Sequence, residues 1–233
     1  MQILESSIFG LRSARLAFES ANSNISVTLF PMVHIGQPVF FEQVYADAFG
    51  HDVVLVEGVR SPISRYITRS YRWAASGKLG LSVQPAYPKT AAMIKKTRLA
   101  DVSGDQFLTE WKKIPVWQRG LLYLLSPLIG IHHHLFYDRE SLANNMAMED
   151  FPSSEDSISY NPDFAALNNC IFGVRDEILT AKLREEIEQA GLQSTRIAIV
   201  FGAAHMRAVI SQLSQIGLSC QSSDWMTVFP LED

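Results

Sequence analysis

Three side chains that can do acid–base or metal chemistry each follow a short apolar segment of this chain: His34, Glu57 and His205. Two imidazoles and one carboxylate can hold a divalent metal with open coordination positions. The same groups can instead serve as a general acid and a general base. Either chemistry requires three distant segments to bring their ends together, so the elements around these residues decide whether a site forms.

The segment before His205 predicts a strand that is buried on both faces. Residues 197–201 (IAIVF) form the short continuous apolar run that is typical of the middle of a parallel sheet. Gly202 ends the run, because a residue without Cβ permits a tight turn. An amphipathic helix is predicted next. His205 is therefore expected at the carboxyl edge of the sheet, where open α/β sheets form their sites.

The other two side chains follow segments of the same kind. Residues 25–30 (ISVTLF) and residues 52–56 (DVVLV) both predict strands, the first followed by His34 and the second by Glu57. A helix is predicted between them, over 38–49. If the three strands are parallel neighbours, the three polar side chains converge on one edge of the sheet.

Strands alternating with helices predict an α/β fold with a mixed central sheet and flanking helices. The sheet is expected to be mixed because the chain opens with a hairpin, whose first strand is 14–19. A largely helical insertion at about 104–150 interrupts the alternation, and Pro127 is expected to kink or end a helix there. A long helix is expected over about 163–189. The whole chain, 1–233, is expected to form one domain.

Composition narrows the class of protein. Hydrophobic residues make up 47% of the chain, which is enough for a core, and the net charge of −4 gives no basic footprint for nucleic acid. Two cysteines are too few for a disulfide framework, and the N-terminus has no signal-peptide pattern. We therefore expect a cytoplasmic protein. No run approaches the roughly 20 apolar residues of a transmembrane segment.

The most apolar stretch is 120–131. A helix there would have almost no polar face, and a contiguous exposed apolar patch marks a partner or membrane surface. We expect this stretch to be buried, either in a homodimer or under the helical insertion.

Other clusters favour ordinary roles. Arg65, Arg69 and Arg72 lie on one face of a helix predicted within 60–76 from Pro62 onward, and a solvated or salt-bridged face is favoured over anion binding. The histidines at 132–134 point about 100° apart on a helix and cannot chelate from one face. The chain has no nucleophile elbow, dinucleotide fingerprint or Walker loop, which disfavours serine hydrolases, dinucleotide enzymes and NTPases.

In order and spacing, these motifs resemble the TraB/PrgY/GumN family, which includes the Tiki-type proteases. Residues 202–205 (GAAH) match the family's late Gly-x-x-His motif, and 54–57 (VLVE) match its apolar strand ending in glutamate. Residues 31–34 match the early Gly-x-x-His motif, with proline in place of the glycine. Residues 174–176 match the Glu-Arg-Asp motif, with valine in place of the glutamate. Residues 99–102 are similar to the Asp-containing strand of the PrgY-type branch.

The resemblance implies an erythromycin-esterase-like or Tiki-like fold and a metal-dependent hydrolase of the peptidase type, acting on a peptide or small molecule. A divalent metal (Mn, Co or Zn) held by His34, Glu57 and His205 would lower the pKa of bound water. Any one of the three could instead be the general base. Arg175 would hold a substrate carboxylate or an oxyanion.

Three further residues are candidates to support the site or contact the substrate: Asp101, Asp176 and Tyr45. The two carboxylates are expected to orient the histidines. For Arg175 the alternative is a surface ion pair with Asp176 or Glu177. The proline and valine replacements favour a second function, a non-catalytic protein that sequesters a peptide signal or a cofactor in the same pocket.

Overall fold

The computed structural model describes residues 2–21, 23–75, 79–149 and 162–232. Ten strands are present in this part of the chain: β1 (Gln2–Ser7), β2 (Gly10–Glu19), β3 (Ile25–Met32), β4 (Ile35–Gly36), β5 (Val53–Val56), β6 (Ser82–Val83), β7 (Thr97–Leu99), β8 (Met148–Glu149), β9 (Thr195–Gly202) and β10 (Ser219–Phe229). The helices are α1 (Pro38–Phe49), α2 (Pro62–Ile67), α3 (Ser70–Ala75), α4 (Ala91–Lys96), α5 (Gly104–Lys113), α6 (Val116–Phe136), α7 (Arg139–Met146), α8 (Ala165–Asn168), α9 (Val174–Ala190) and α10 (Met206–Gln215).

The predicted mixed central sheet with flanking helices is confirmed. Strands β7, β5, β9 and β3 lie side by side and run parallel. The long strand β2 pairs antiparallel with β3, β1 and β10, and β8 pairs with β1. A separate small sheet joins β4 to β6. The fold is therefore a parallel half that carries the predicted strand ends and an antiparallel half built on the opening hairpin.

The register brings the carboxyl ends of the parallel strands to one level. Met32 pairs with Gly202, and Val56 pairs with both Val200 and Leu99. All five residues of the apolar run in β9 are buried, as the prediction of a doubly covered strand requires. Segments that follow β3, β5, β7 and β9 consequently leave the sheet at the same edge.

The helical regions differ from the sequence expectations at three places. The helix expected from Pro62 to residue 76 begins at Pro62 but is divided into α2 and α3. The helix expected over 163–189 is divided by a π-helical turn, Asn169–Gly173, which separates α8 from α9. The insertion expected to be helical through residue 150 ends in a strand, β8, which joins the sheet beside β1.

Of the two outcomes expected at Pro127, the helix end is wrong, because this residue lies inside α6. A proline removes the hydrogen bond to the carbonyl four residues earlier, here that of Tyr123. The Tyr66 hydroxyl of α2 donates to this carbonyl oxygen at 3.3 Å. The helix passes through Pro127 because a side chain from another element takes the place of the missing backbone donor.

The apolar stretch of 120–131 is buried on one side, at Ser126 and Gly130, but most of its leucines and isoleucines are exposed among the residues that the structure describes. Leu124 is 62% exposed and Leu128 is 52% exposed, so the expectation of burial under the helical insertion is wrong. Within the described ranges no single helix has the length and apolar composition to cross a membrane. Helices α5 and α6 reach that threshold only together, and they are bent by 114° from each other.

Two glycines of α6 provide a test of how tightly this helix packs on α3. A Cβ on Gly130 would lie 2.9 Å from the Cα and carbonyl oxygen of Ser70, whereas a Cβ on Gly120 would meet nothing within 4 Å. We predict that Gly130→Ala lowers the free energy of unfolding by about 1–3 kcal/mol because it forces the helices apart. Gly120→Ala should raise it by about 0.5–1 kcal/mol through helix propensity. Urea denaturation measures both, and shifts of the same sign would contradict the close contact.

Candidate active site

Glu57 joins three elements at the carboxyl edge of the sheet. It directly follows β5, and its Oε2 accepts a hydrogen bond from the Gly202 backbone N–H at the end of β9, at 2.8 Å. Its Oε1 accepts from Arg175 Nη2 of α9, at 2.6 Å. Both carboxylate oxygens are thus occupied, and the ends of β5, β9 and α9 are held together by one side chain.

Arg175 is buried and lies between two carboxylates. Besides its bond to Glu57, it donates through Nε and Nη2 to the two oxygens of Asp101, at 2.9 and 2.8 Å. Its guanidinium also lies 5.6 Å from the centroid of the Phe201 ring. The alternative of a surface ion pair with Asp176 or Glu177 is therefore wrong.

Asp101 contacts Arg175 and backbone amides rather than a histidine. Its Oδ2 accepts from the Gly58 N–H at 3.0 Å, and its Oδ1 accepts from the Val102 N–H at 2.8 Å. The expectation that Asp101 orients a histidine does not match this placement. Its carboxylate instead links the segment after β7 to the segment after β5.

The charges of this cluster fix its protonation states. Burial by itself would raise the pKa of Glu57, but the positive charge of Arg175, together with His34 and His205, lowers it overall. Burial by itself would lower the pKa of Arg175, but Asp101 and Glu57 raise it overall. Glu57 is therefore an anion, and Arg175 a cation, at neutral pH.

The π-helical turn lies immediately before Arg175. A Cβ on Gly173 would lie 2.4 Å from the Asn169 Oδ1, so this turn has no room for a side chain there. The Ile171 carbonyl accepts a long bond, 3.4 Å, from Arg175 Nη1. Single π-helical turns occur often at functional sites. Here the turn sets the direction in which α9 presents Arg175 and Asp176 to the sheet edge.

His205 is paired with Asp176 and lies behind the cavity wall. Its Nδ1 lies 2.6 Å from Asp176 Oδ1, which is the placement expected of a carboxylate that orients a histidine. The ring packs edge-on against Phe201, with 4.9 Å between ring centroids. His205 is 4% exposed, and it does not line the cavity that contains His34 and Glu57.

Gly202 allows Glu57 and His205 to approach each other. A Cβ on Gly202 would lie 3.2 Å from Glu57 Oε2 and 3.4 Å from His205 Cδ2. A side chain at this position would press on the Glu57 carboxylate and touch the His205 ring. The close approach of Glu57 thus favours the glycine of the late motif, whereas its φ of −51° is accessible to any residue.

His34 is the imidazole that faces the cavity. Its ring stacks on Tyr71, with centroids 4.6 Å apart. Desolvation lowers the pKa of His34, the charge of Arg175 adds to this effect, and the charge of Glu57 opposes it. A hydrogen bond with the Gln84 side chain also opposes the shift. His34 is therefore a neutral base at pH 7.

Tyr45 supports the cavity wall from behind and does not line it. Its hydroxyl donates to the Pro85 carbonyl at 2.9 Å and accepts from Gln84 Nε2 at 3.4 Å. Sequence reasoning missed Gln84 and Tyr71, the two side chains that hold His34. Neither belongs to a motif, and only the packing of β6 and α3 against the strand ends brings them to the site.

The cavity has a volume of about 600 Å³, within the range of small-molecule and peptide pockets. His34, Glu57 and Arg175 lie on its wall together with apolar side chains from neighbouring segments. The three arginines of the α2–α3 region also line it: Arg65, Arg69 and Arg72. The three arginines are exposed, as the expected solvated face requires, and they also line this ligand-sized cavity.

The donors predicted to hold a metal are engaged with other partners. Among the described residues, no three His, Cys, Asp or Glu side chains are grouped as a metal site requires. Glu57 is bound by Arg175, and His205 Nδ1 is bound by Asp176. As placed, this donor set does not fit a divalent ion, and we derive no catalytic step through one. The requirement for Mn, Co or Zn stays a prediction.

Searches against protein-family models, curated proteins and solved structures find no match to this chain. The resemblance to the TraB/PrgY/GumN family stays a prediction.

The depressed pKa of His34 predicts a specific pH dependence. The unfolded chain takes up a proton at this residue near pH 6.5, whereas the folded protein resists protonation until lower pH. Stability should therefore fall as pH drops below about 6.5, by up to about 1.4 kcal/mol per pH unit from His34. Free energies of unfolding at several pH values should fall less steeply in His34→Gln than in the wild type. Equal slopes of unfolding free energy against pH in the two proteins would contradict a lowered pKa of His34.

The buried ion pairs of Arg175 predict a large effect of its removal. Arg175→Met leaves Glu57 and Asp101 without their partner, and we expect a loss of about 3–5 kcal/mol in unfolding free energy. Arg15 is the matched control, because it also pairs with two aspartates, Asp47 and Asp224, but at the exposed surface. Arg15→Met should cost no more than about 1 kcal/mol. Chemical denaturation measures both variants. Similar losses of unfolding free energy in the two would show that burial of the Arg175 cluster has no special energetic role.

Proposed function

We propose that this protein is a hydrolase in which His34 deprotonates the attacking water. The observation that carries the proposal is a neutral imidazole on the wall of a cavity of about 600 Å³, beside the Glu57–Arg175 ion pair. An imidazole that is neutral at pH 7 can accept a proton at the pH of the cell. The substrate class is a peptide or a small molecule with a comparable carbonyl bond.

His34 is held in place for this role by its neighbours. Tyr71 stacks on one face of the ring, and Gln84 is hydrogen-bonded to it. When His34 takes the proton of water, the negative charge of Glu57 stabilises the imidazolium that forms. The imidazolium then returns that proton to the leaving group as the bond to the carbonyl carbon breaks.

Arg175 is suited to stabilise the oxyanion formed by the attack. Its Nε and Nη2 groups are used by the carboxylates of Asp101 and Glu57. Nη1 makes only the long contact to the Ile171 carbonyl, so this end of the guanidinium retains donor capacity. Fixed donors in a site that excludes water act strongly on developing charge, and the ion pairs fix this guanidinium.

His205 and Asp176 act in this proposal as positioning residues. Their pair packs behind Gly202, next to the Glu57 carboxylate. Replacement of His205 would therefore disturb the orientation of Glu57 rather than remove a group that touches the substrate.

The peptidase activity and the Tiki-like fold implied by the family resemblance are part of the proposal, and so is the metal. The family resemblance implies the metal, whereas the donors as placed do not fit one: Glu57 would have to exchange Arg175 for the ion. A metal bound there would supply an activated water.

The second candidate is a binding protein without turnover. It is favoured by one observation, that Glu57 and Asp101 are both held in ion pairs with Arg175. Such a wall would bind a peptide signal or a cofactor without further chemistry.

Activity measurements should separate these proposals. We expect wild-type protein to cleave members of a peptide library, detected by mass spectrometry, and His34→Gln to lower kcat by at least about a hundredfold. His132→Gln, in an exposed histidine of α6, is the matched control and should retain activity. A His34→Gln variant with wild-type turnover would refute the role of His34 as base.

The same assay with a chelator, followed by addition of Mn, Co or Zn, tests the metal. Loss of activity with the chelator and its recovery with one of these ions would support the metal-dependent form. Peptide binding without cleavage, with or without each ion, would favour the non-catalytic binding protein.

A further proposal concerns the exposed stripe of α6. Six apolar residues follow one another at alternating spacings of four and three: Trp117, Leu121, Leu124, Leu128, Ile131 and Leu135. This spacing is the one that packs helices side by side in coiled coils. Helices at membrane surfaces are rich in Lys and Arg, whereas α6 contains only Arg119. A second copy of the chain, pairing stripe to stripe about a two-fold axis, is therefore the proposed partner.

Disruption of the stripe should prevent this pairing. We expect light scattering to show a dimer for the wild type and a monomer for the double variant Leu124→Glu/Leu128→Glu. The control, Ile94→Glu/Leu192→Glu, introduces the same charges at exposed apolar residues outside α6 and should stay dimeric. A monomeric wild type at high concentration would refute the proposal.

A further inference from the structure

The arginines of the α2–α3 region are unusual for a surface cluster because they face a cavity and pair with no acid in the part of the chain that the structure describes. Arg65 belongs to α2, Arg72 to α3, and Arg69 to the short break between the helices. All three are exposed and line the same cavity as His34. Among the described residues, no Asp or Glu side chain forms an ion pair with any of them. Their guanidinium groups are available to a ligand.

The charge of the cavity opposes that of the whole protein. The chain has a net charge of −4. The only acidic side chain on the cavity wall is Glu57, counting described residues, and it shares Arg175 with the buried Asp101, so this group of three has one net negative charge. The three arginines outweigh it, and the wall has an excess of positive charge. A cavity with this excess of one charge attracts ligands of the opposite charge.

We propose that this cavity binds an acidic peptide segment whose carboxylates pair with Arg65, Arg69 and Arg72. This inference rests on the proposed hydrolase function, because it assigns the substrate class of the site at which His34 would act as base. Binding of the acidic segment does not depend on turnover. Bidentate pairing of guanidinium with carboxylate provides affinity and also fixes the orientation of the bound peptide.

The order of the arginines along the wall fits an extended peptide. Arg65 lies in α2, Arg69 in the break and Arg72 in α3, and all three line the cavity. In an extended chain, side chains two residues apart lie on the same face about 6–7 Å from each other. Acidic residues at alternate positions would therefore all face this wall.

The remaining wall favours a peptide over a phosphorylated ligand. Val59, Val83 and Phe107 provide apolar surface beside the arginines, which suits the uncharged side chains between acidic ones. A single phosphate needs its cationic partners gathered around one point. Here the arginines are instead distributed along two helices.

Isothermal titration calorimetry on the full chain tests the proposal. The probe is a capped hexapeptide of alternating glutamate and alanine, and the comparison peptide has glutamine in place of glutamate. Both are titrated into His34→Gln, so that cleavage does not interfere. We expect the glutamate peptide to bind at least about tenfold more tightly, and its affinity to fall between about 50 and about 500 mM salt, because screening weakens exposed charge pairs.

Matched charge variants locate the interaction. The triple variant Arg65→Gln/Arg69→Gln/Arg72→Gln should lower affinity for the glutamate peptide at least tenfold. The control Lys89→Gln/Lys95→Gln/Lys112→Gln removes the same charge from exposed lysines outside the cavity, and its affinity should stay within about twofold. Equal losses in both variants would overturn the proposal, because they would indicate an effect of net charge alone.

Three other outcomes would also overturn it: no binding of the glutamate peptide, equal binding of the glutamine peptide, or tighter binding of inorganic phosphate. Failure of the proposed function gives a different result. In that case the acidic peptide still binds through the arginines, but wild-type protein cleaves nothing. Cleavage without preference for acidic peptides would instead leave the hydrolase proposal intact and refute this inference.

Discussion

The site depends on one buried arginine held between two carboxylates. Arg175 draws Glu57 and Asp101 together, and these acids in turn accept backbone N–H groups from the segments that end β5, β7 and β9. A buried charge is tolerated only when it is paired and hydrogen-bonded. The position of α9 against the sheet edge is therefore fixed by electrostatics as well as by apolar packing. A shift of this helix by one turn would leave three charges without partners in the protein interior.

The environment gives similar groups different roles. Two acids near the cavity, Glu57 and Asp101, are committed to Arg175, and the pKa of Glu57 is lowered by it. Of the two histidines, His205 is bound by Asp176 behind the wall, whereas His34 faces the cavity and is kept neutral by desolvation. An imidazole rather than a carboxylate is thus the group that can exchange a proton with a ligand. This division of roles depends on which side chains contact Arg175. The sequence pattern of polar residues after strands does not predict it.

The parallel half of the sheet and the convergence of its strand ends were predictable, because strands covered on both faces must be continuously apolar. The partners of Arg175 were not, since Asp101 and Glu57 lie 74 and 118 residues away in the sequence. Local rules also failed at Pro127, where a tyrosine hydroxyl from another helix satisfies the freed carbonyl. The arginines at 65, 69 and 72 appeared as a basic helix face, and only the tertiary structure shows that they line a cavity.

The π-helical turn at Asn169–Gly173 makes this part of the chain tolerant of one particular change in length. A π-helical turn holds one residue more than the α-helical turn it replaces. Deletion of one residue here can therefore return the turn to regular α-helical geometry and leave the direction of Arg175 and Asp176 nearly unchanged. Deletion of a residue inside α9 itself, where each residue adds about 100° of rotation, would instead turn the side chains on one side of the deletion away from their present partners.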